Sequence, residues 1–189
     1  PSQGHVSLNT VGQMSAYAGV SLVTCAWGCM AYVFMPWGPT ANMTGQNEAQ
    51  KKFGDRSFMN LLEQAPMFLT SLWLFAINCS ATEATALGTA YLVLRALYPV
   101  MWLIKGGKNV GYPMPVGFFV TFPAYAVIIT MYISVIAMLG FDTEIPGGIG
   151  AKAGMVLGLT ILYLVYAIKV CPFLQMNVFK GAFEGEPLL

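Results

Sequence analysis

Five apolar runs constrain this chain more than any other feature. They lie at about residues 13–35, 58–81, 84–104, 115–139 and 153–170. A helix needs about 20 apolar residues to cross a hydrocarbon core of about 30 Å, and each run is close to that length. Backbone N–H and C=O groups in lipid must be satisfied within the segment, so runs of this kind predict helices. The connecting stretches are short, and residues 1–189 read as a single transmembrane domain. Composition agrees: 57% of residues are hydrophobic and 9% are charged, against roughly 25% charged in soluble domains. A soluble globular fold is excluded, because the chain lacks the residues for a charged skin. A net charge of +1 supplies no basic stripe for phosphates, which excludes a nucleic-acid partner.

Charge placement gives an orientation. With five spans, Lys51, Lys52, Arg56, Lys105, Lys108 and Lys180 fall on one side, and Lys152 alone falls on the other. The positive-inside rule turns the basic side toward cytosol, stroma or matrix. Trp37, Trp102, Tyr112 and Phe173 fall at span ends, where aromatic rings favour the interface. Pro36-Trp37-Gly38-Pro39 is expected to stop the first span. Gly106-Gly107 and Gly147-Gly148 mark turns. Gly150, Gly154 and Gly158 are spaced for close helix packing in lipid.

Cys25, Cys29, Cys79 and Cys171 sit in or beside apolar runs and read as buried thiols, not as a disulfide framework. The only histidine is His5, so no metal site is expected. The chain begins at Pro1 without an initiator methionine or a signal-peptide pattern, which leaves a removed targeting peptide open.

The polar residues inside the runs carry the most information. An ionised side chain near the bilayer centre costs about 2.5 to 3.5 kcal/mol on insertion scales, so it needs a partner or a function. The second run holds Asn60 and Glu63, the third holds Arg95, and Lys169 at the end of the fifth is placed to snorkel. Arg56, Asn60 and Glu63 are spaced four and three apart, which puts them on one helix face. Tyr91, Arg95, Tyr98 and Trp102 share a face of the third helix in the same way. Only Thr82 and Glu83 are expected to separate these two helices. At about 1.5 Å per residue, Glu63 and Arg95 fall at similar depth on the basic side. They are expected to pair, or to share a polar pocket with Asn60. Such a knot either fixes the register of the hairpin or lines a ligand pocket.

The stretch Arg56-Ser57-Phe58-Met59-Asn60-Leu61-Leu62-Glu63-Gln64-Ala65-Pro66 resembles the R-x-x-x-N-x-x-E segment of the MAPEG family, which includes microsomal glutathione transferases, leukotriene synthases and prostaglandin E synthase. Arg95-Ala96-Leu97-Tyr98 in the third run is similar to that family's R-x-x-Y hallmark. The resemblance extends over about residues 12–136. It implies a MAPEG-like four-helix transmembrane bundle, here with a fifth C-terminal transmembrane helix outside the usual plan. It also implies a homotrimer with glutathione bound between subunits near the basic side. Carried over by position, Arg56, Asn60, Glu63, Arg95 and Tyr98 would line the glutathione site. Arginine suits the two carboxylates of glutathione, and Glu63 suits its amine. A transferase must also hold the thiol as thiolate. Here the chain departs from the family pattern. Gln64 stands where active relatives have tyrosine, and Trp102 stands at a second tyrosine position. Where leukotriene synthases use an arginine past the third helix, this chain offers Asn109 nearby, with Lys105 and Lys108 as displaced cations. The first span ends Phe34-Met35-Pro36-Trp37, without a basic residue. Tyr98, with Lys105 or Lys108 as cation, is the remaining catalytic set.

Two functions are therefore expected in competition. One is a glutathione-dependent transferase or peroxidase acting on lipophilic substrates. The other is a catalytically silent structural or assembly subunit of a larger heteromeric membrane complex, respiratory or photosynthetic, which could hold bound lipid or pigment. The corresponding locations are a thylakoid or mitochondrial membrane, or the endoplasmic reticulum. Transport is disfavoured by the lack of an inverted repeat.

Overall fold

The computed structural model describes residues 15–106 and 116–173. Helix α1 spans Ala18–Phe34, and after a turn at Met35-Pro36 helix α2 spans Trp37–Met43. The two prolines redirect the first span without ending helical structure. Pro39 lies in the first turn of α2, where backbone N–H groups have no intrahelical acceptor to lose. Helix α3, Glu48–Glu63, opens on a reciprocal cap: Asn47 Oδ1 accepts the Gln50 N–H at 3.0 Å, and Gln50 Oε1 accepts the Asn47 N–H at 3.1 Å. Most of the stretch 36–57, expected as a loop, is thus helical. α2 and α3 pack through glycine: a Cβ on Gly54 would stand 2.6 Å from the backbone of Trp37 and of Gly38.

Helix α4, Ala65–Asn78, starts one residue after α3, with Gln64 as the break. Its 14 residues rise only about 21 Å, short of the hydrocarbon thickness. The last turns of α3 complete this crossing, which carries Asn60 and Glu63 into the membrane. Helix α5, Ala81–Gly106, follows a turn at Cys79-Ser80. Ser80 Oγ accepts the Glu83 N–H at 3.3 Å. Thr82 and Glu83 therefore form the first turn of α5 and are not the linker, and a carboxylate there suits the positive end of the helix.

Helix α6, Phe122–Phe141, is preceded by a π-helical turn at Gly117–Thr121. Helix α7, Gly148–Val165, runs into a second π-helical turn at Tyr166–Val170, followed by the three-residue helix α8, Cys171–Phe173. Each wide turn lies just before a proline, Pro123 or Pro172. Proline has no N–H to give to the residue four back, and the wide turn absorbs that loss. Among the described residues, four helical stretches are long and apolar enough to cross a membrane: Ala18–Met43, Ala81–Leu103, Gly117–Phe141 and Gly148–Val170. With the α3–α4 crossing they make an all-α membrane bundle.

α1 packs on α5, α4 packs on α5 and α6, and α7 packs on α6. Val20 and Val23 of α1, Phe68, Leu72 and Phe75 of α4, Leu87 and Tyr91 of α5, and Val127 and Met131 of α6 form the core. Gly88 permits a close approach of three helices: a Cβ there would lie 2.8 Å from both Leu72 Cδ1 and Val23 Cγ1. α7 is held by a buried ion pair. Lys152 Nζ lies 2.7 Å from Glu83 Oε2 and 5.7 Å from the Phe75 ring centroid. By sequence Lys152 is the lone cation of its side; in the fold that charge is neutralised.

Three expectations are corrected. Cys25 and Cys29 are exposed on the outer face of α1, and Cys79 and Cys171 are half-buried; all four are free. They match apolar surroundings because lipid, not protein, surrounds the outer face. A Cβ added to Gly150, Gly154 or Gly158 would meet no atom within 4 Å, so these glycines form no packing seam inside the subunit. Trp102 lies at the end of its span, as expected, but its side chain is buried in the bundle and does not face the headgroups. Tyr112 lies outside the described residues.

Candidate functional site

The inner stripe of α3 is Gly54, Ser57 and Leu61, all buried. Continuing that stripe by three residues reaches Gln64, which is also buried. Arg56 and Glu63 lie one residue off it and are exposed. Asn60 is half-buried at the margin.

This geometry decides what Arg95 meets. Its Nη1 donates to Asn60 Oδ1, and its Nη2 donates to Gln64 Oε1. Its Cζ lies 5.2 Å from the centroid of the Tyr91 ring, which stacks on Phe68 with centroids 3.8 Å apart. The Tyr91 hydroxyl donates to Gln64 Oε1 at a long 3.5 Å. Arg95 is 1% exposed. The Arg95 guanidinium thus sits inside the bundle, held by two amide oxygens and a ring face. Pro99 adds a second feature at this level. It cannot donate to the carbonyl four residues back, so it frees the Arg95 carbonyl from the helix ladder.

Arg95 and Asn60 are thus brought together, and Gln64 completes the knot. Glu63 points away from it, and among the described residues it forms no ion pair with Arg95. Sequence reasoning misses Gln64 as a ligand, because at that position it sees only the absence of a tyrosine. The stripe 54, 57, 61, 64 is the signal that could have placed it. Tyr98 is 2% exposed. It lies against Trp102, with ring centroids 5.9 Å apart, in a cluster with Val116 and Val120. The side chain of Lys105, and all of Lys108 and Asn109, lie outside the described residues.

On the outer face, Arg56 and Glu63 stand seven residues apart on α3. The helix rise separates them by about 10 Å. Neither forms an ion pair within the subunit among the described residues. Ionisable side chains at membrane depth are rare and are usually paired or turned to a polar cavity. Among the described residues no cluster of histidine, cysteine and carboxylate groups could hold a metal ion.

A multi-pass helical membrane bundle with a buried arginine–amide knot and an open arginine–glutamate face defines the class. Residues 13–137 match the family model of the MAPEG family. The chain belongs to that family, and α7 lies beyond the matched region. Neither the curated proteins nor the solved structures gave a match.

Proposed function

We propose that this protein binds glutathione on the outer face of α3 and uses it as a transferase or peroxidase on a lipophilic substrate. One observation carries the reading: Arg56 and Glu63 are exposed, without an ion pair inside the subunit among the described residues, about 10 Å apart along one helix. A tripeptide extends over about 3.3 to 3.6 Å per residue, so its two ends match that separation. Arg56 would take a carboxylate and Glu63 the amine. A neighbouring copy in a homotrimer would supply the other wall. Asn60, Arg95 and the buried Tyr98 would support the site from within, and Lys105 or Lys108 would stabilise the thiolate. The basic side would face cytosol, stroma or matrix.

A specific observation favours the second reading. The Arg95 guanidinium is engaged by Asn60 and by Gln64, the residue standing where active relatives have tyrosine. A knot closed in this way suits a silent structural subunit of an organellar complex. Glutathione titration of the purified protein, read by calorimetry and by thiolate absorbance, separates the two. Binding that weakens about tenfold in Glu63→Gln and in Arg56→Met, with unfolding temperature unchanged, supports the first. No binding at millimolar glutathione, with co-purification of different subunits, returns the protein to the second.

A further inference from the structure

The α2–α3 hairpin carries two adjoining hollows. The first, about 380 Å³, is lined by Asn42, Glu48, Lys51, Lys52, Asp55 and Arg56. The second, about 440 Å³, is lined mainly by Met35, Pro39, Phe58 and Met59, with Gly38 and Gly54 at its floor. Asp55 borders both. On α3, residues 48, 51, 52, 55, 58 and 59 follow helical spacing, so one stripe of the helix runs through both hollows. Along that stripe the chemistry changes from charged (Glu48 to Asp55) to apolar (Phe58, Met59). The opposite wall changes in the same direction, from Asn42 through Pro39 to Met35. Met35 and Met59 are 46% and 43% exposed.

Two walls that turn from polar to apolar at the same level describe the boundary between lipid headgroups and acyl chains. The headgroup hollow holds three cations, Lys51, Lys52 and Arg56, and two carboxylates, Glu48 and Asp55. Its net charge of +1 (three minus two) matches one phosphodiester. Glu48 already neutralises Lys51 across 3.0 Å, and the Asp55 carboxylate turns toward Gly38. Basic pockets at this level of a membrane protein hold anionic lipid headgroups.

We infer that the α2–α3 hairpin is a binding site for one anionic glycerophospholipid, with its phosphodiester against Lys51 and Lys52 and an acyl chain in the groove of Met35, Phe58 and Met59. The glycine contact between Gly38 and Gly54 sets the shape of that groove. The inference does not depend on glutathione binding. It is tested without glutathione, and on variants that leave Arg56 and Glu63 intact.

Native mass spectrometry of the full chain, titrated with phosphatidylglycerol or phosphatidylcholine, provides the test. Phosphatidylglycerol is expected to be retained at one molecule per chain, about tenfold more tightly than phosphatidylcholine. The double variant Lys51→Gln/Lys52→Gln should lose about tenfold in phosphatidylglycerol affinity. Met59→Trp, which fills the apolar groove, should weaken it while leaving helicity and unfolding temperature unchanged. Inorganic phosphate at millimolar concentration should not compete. Equal binding of the two lipids would overturn the inference, as would full competition by phosphate or unchanged affinity in both variants.

Discussion

Arg95 is the residue on which the interior turns. Hydrogen bonds to a charged group contribute about 1.5 to 3 kcal/mol each, and a buried charge that loses a partner costs more than the bond alone. Gln64→Leu should therefore destabilise the bundle by about 3 kcal/mol, measured by reversible unfolding in detergent. Arg95→Met combined with Gln64→Leu should recover part of that loss, because no charge is then left buried. Glu63→Gln should change stability by less than about 0.5 kcal/mol, since its side chain is exposed and forms no ion pair among the described residues. A large loss from Glu63→Gln in the isolated subunit would place the carboxylate in the knot after all. At this scale the sequence is half legible. The cost of charge in lipid points to Asn60, Glu63 and Arg95 as the informative set. It cannot choose between Glu63 and Gln64, because adjacent residues differ by about 100° around a helix and the break at Gln64 fixes which one turns inward.

Among the elements, the α2–α3 hairpin is the least legible. Prolines and a polar stretch read as a loop, yet Pro39 falls where a helix tolerates proline, and the reciprocal Asn47–Gln50 cap starts α3. The long apolar runs are legible because length and hydropathy alone specify a span. The wide turns before Pro123 and Pro172 are not, since a proline's missing N–H can be absorbed by a kink, a break or a π-helical turn. Gly54→Ala tests the hairpin. In an isolated helix this change gains about 1 kcal/mol of propensity. Here the added methyl meets backbone atoms of Trp37 and Gly38 at 2.6 Å, and no rotamer change can move backbone aside. Overpacking of this kind costs about 1 to 3 kcal/mol, so the net effect is a loss. The expected readout is a lower unfolding temperature, with faster hydrogen exchange confined to residues 37–60.

At the scale of the whole molecule, the fold is a family core to which α7 is attached. The family match ends at residue 137, and α7 rests on α6 through Tyr163 against Phe122 and Tyr125. The Lys152–Glu83 pair ties it to the first turn of α5. The two partners are unequally placed: the Lys152 side chain is 2% exposed and that of Glu83 is 18% exposed. Removing one charge leaves the other to find solvent. Glu83 can reach water at the end of the hairpin, whereas Lys152 is enclosed over the Phe75 ring. Glu83→Gln should therefore loosen α7 more than Lys152→Met does, even though both break the same contact. Breaking one side of a buried pair costs about 3 to 5 kcal/mol. Amides of residues 148–165 should then exchange at least about a hundredfold faster in Glu83→Gln, and less so in Lys152→Met. The double variant should restore protection toward wild type, because neither charge remains. Protection of α1 and α5 should stay unchanged in all three. Equal loosening by the two single variants would mean that the pair is hydrated in the membrane, and that α7 is held by its aromatic contacts with α6 alone.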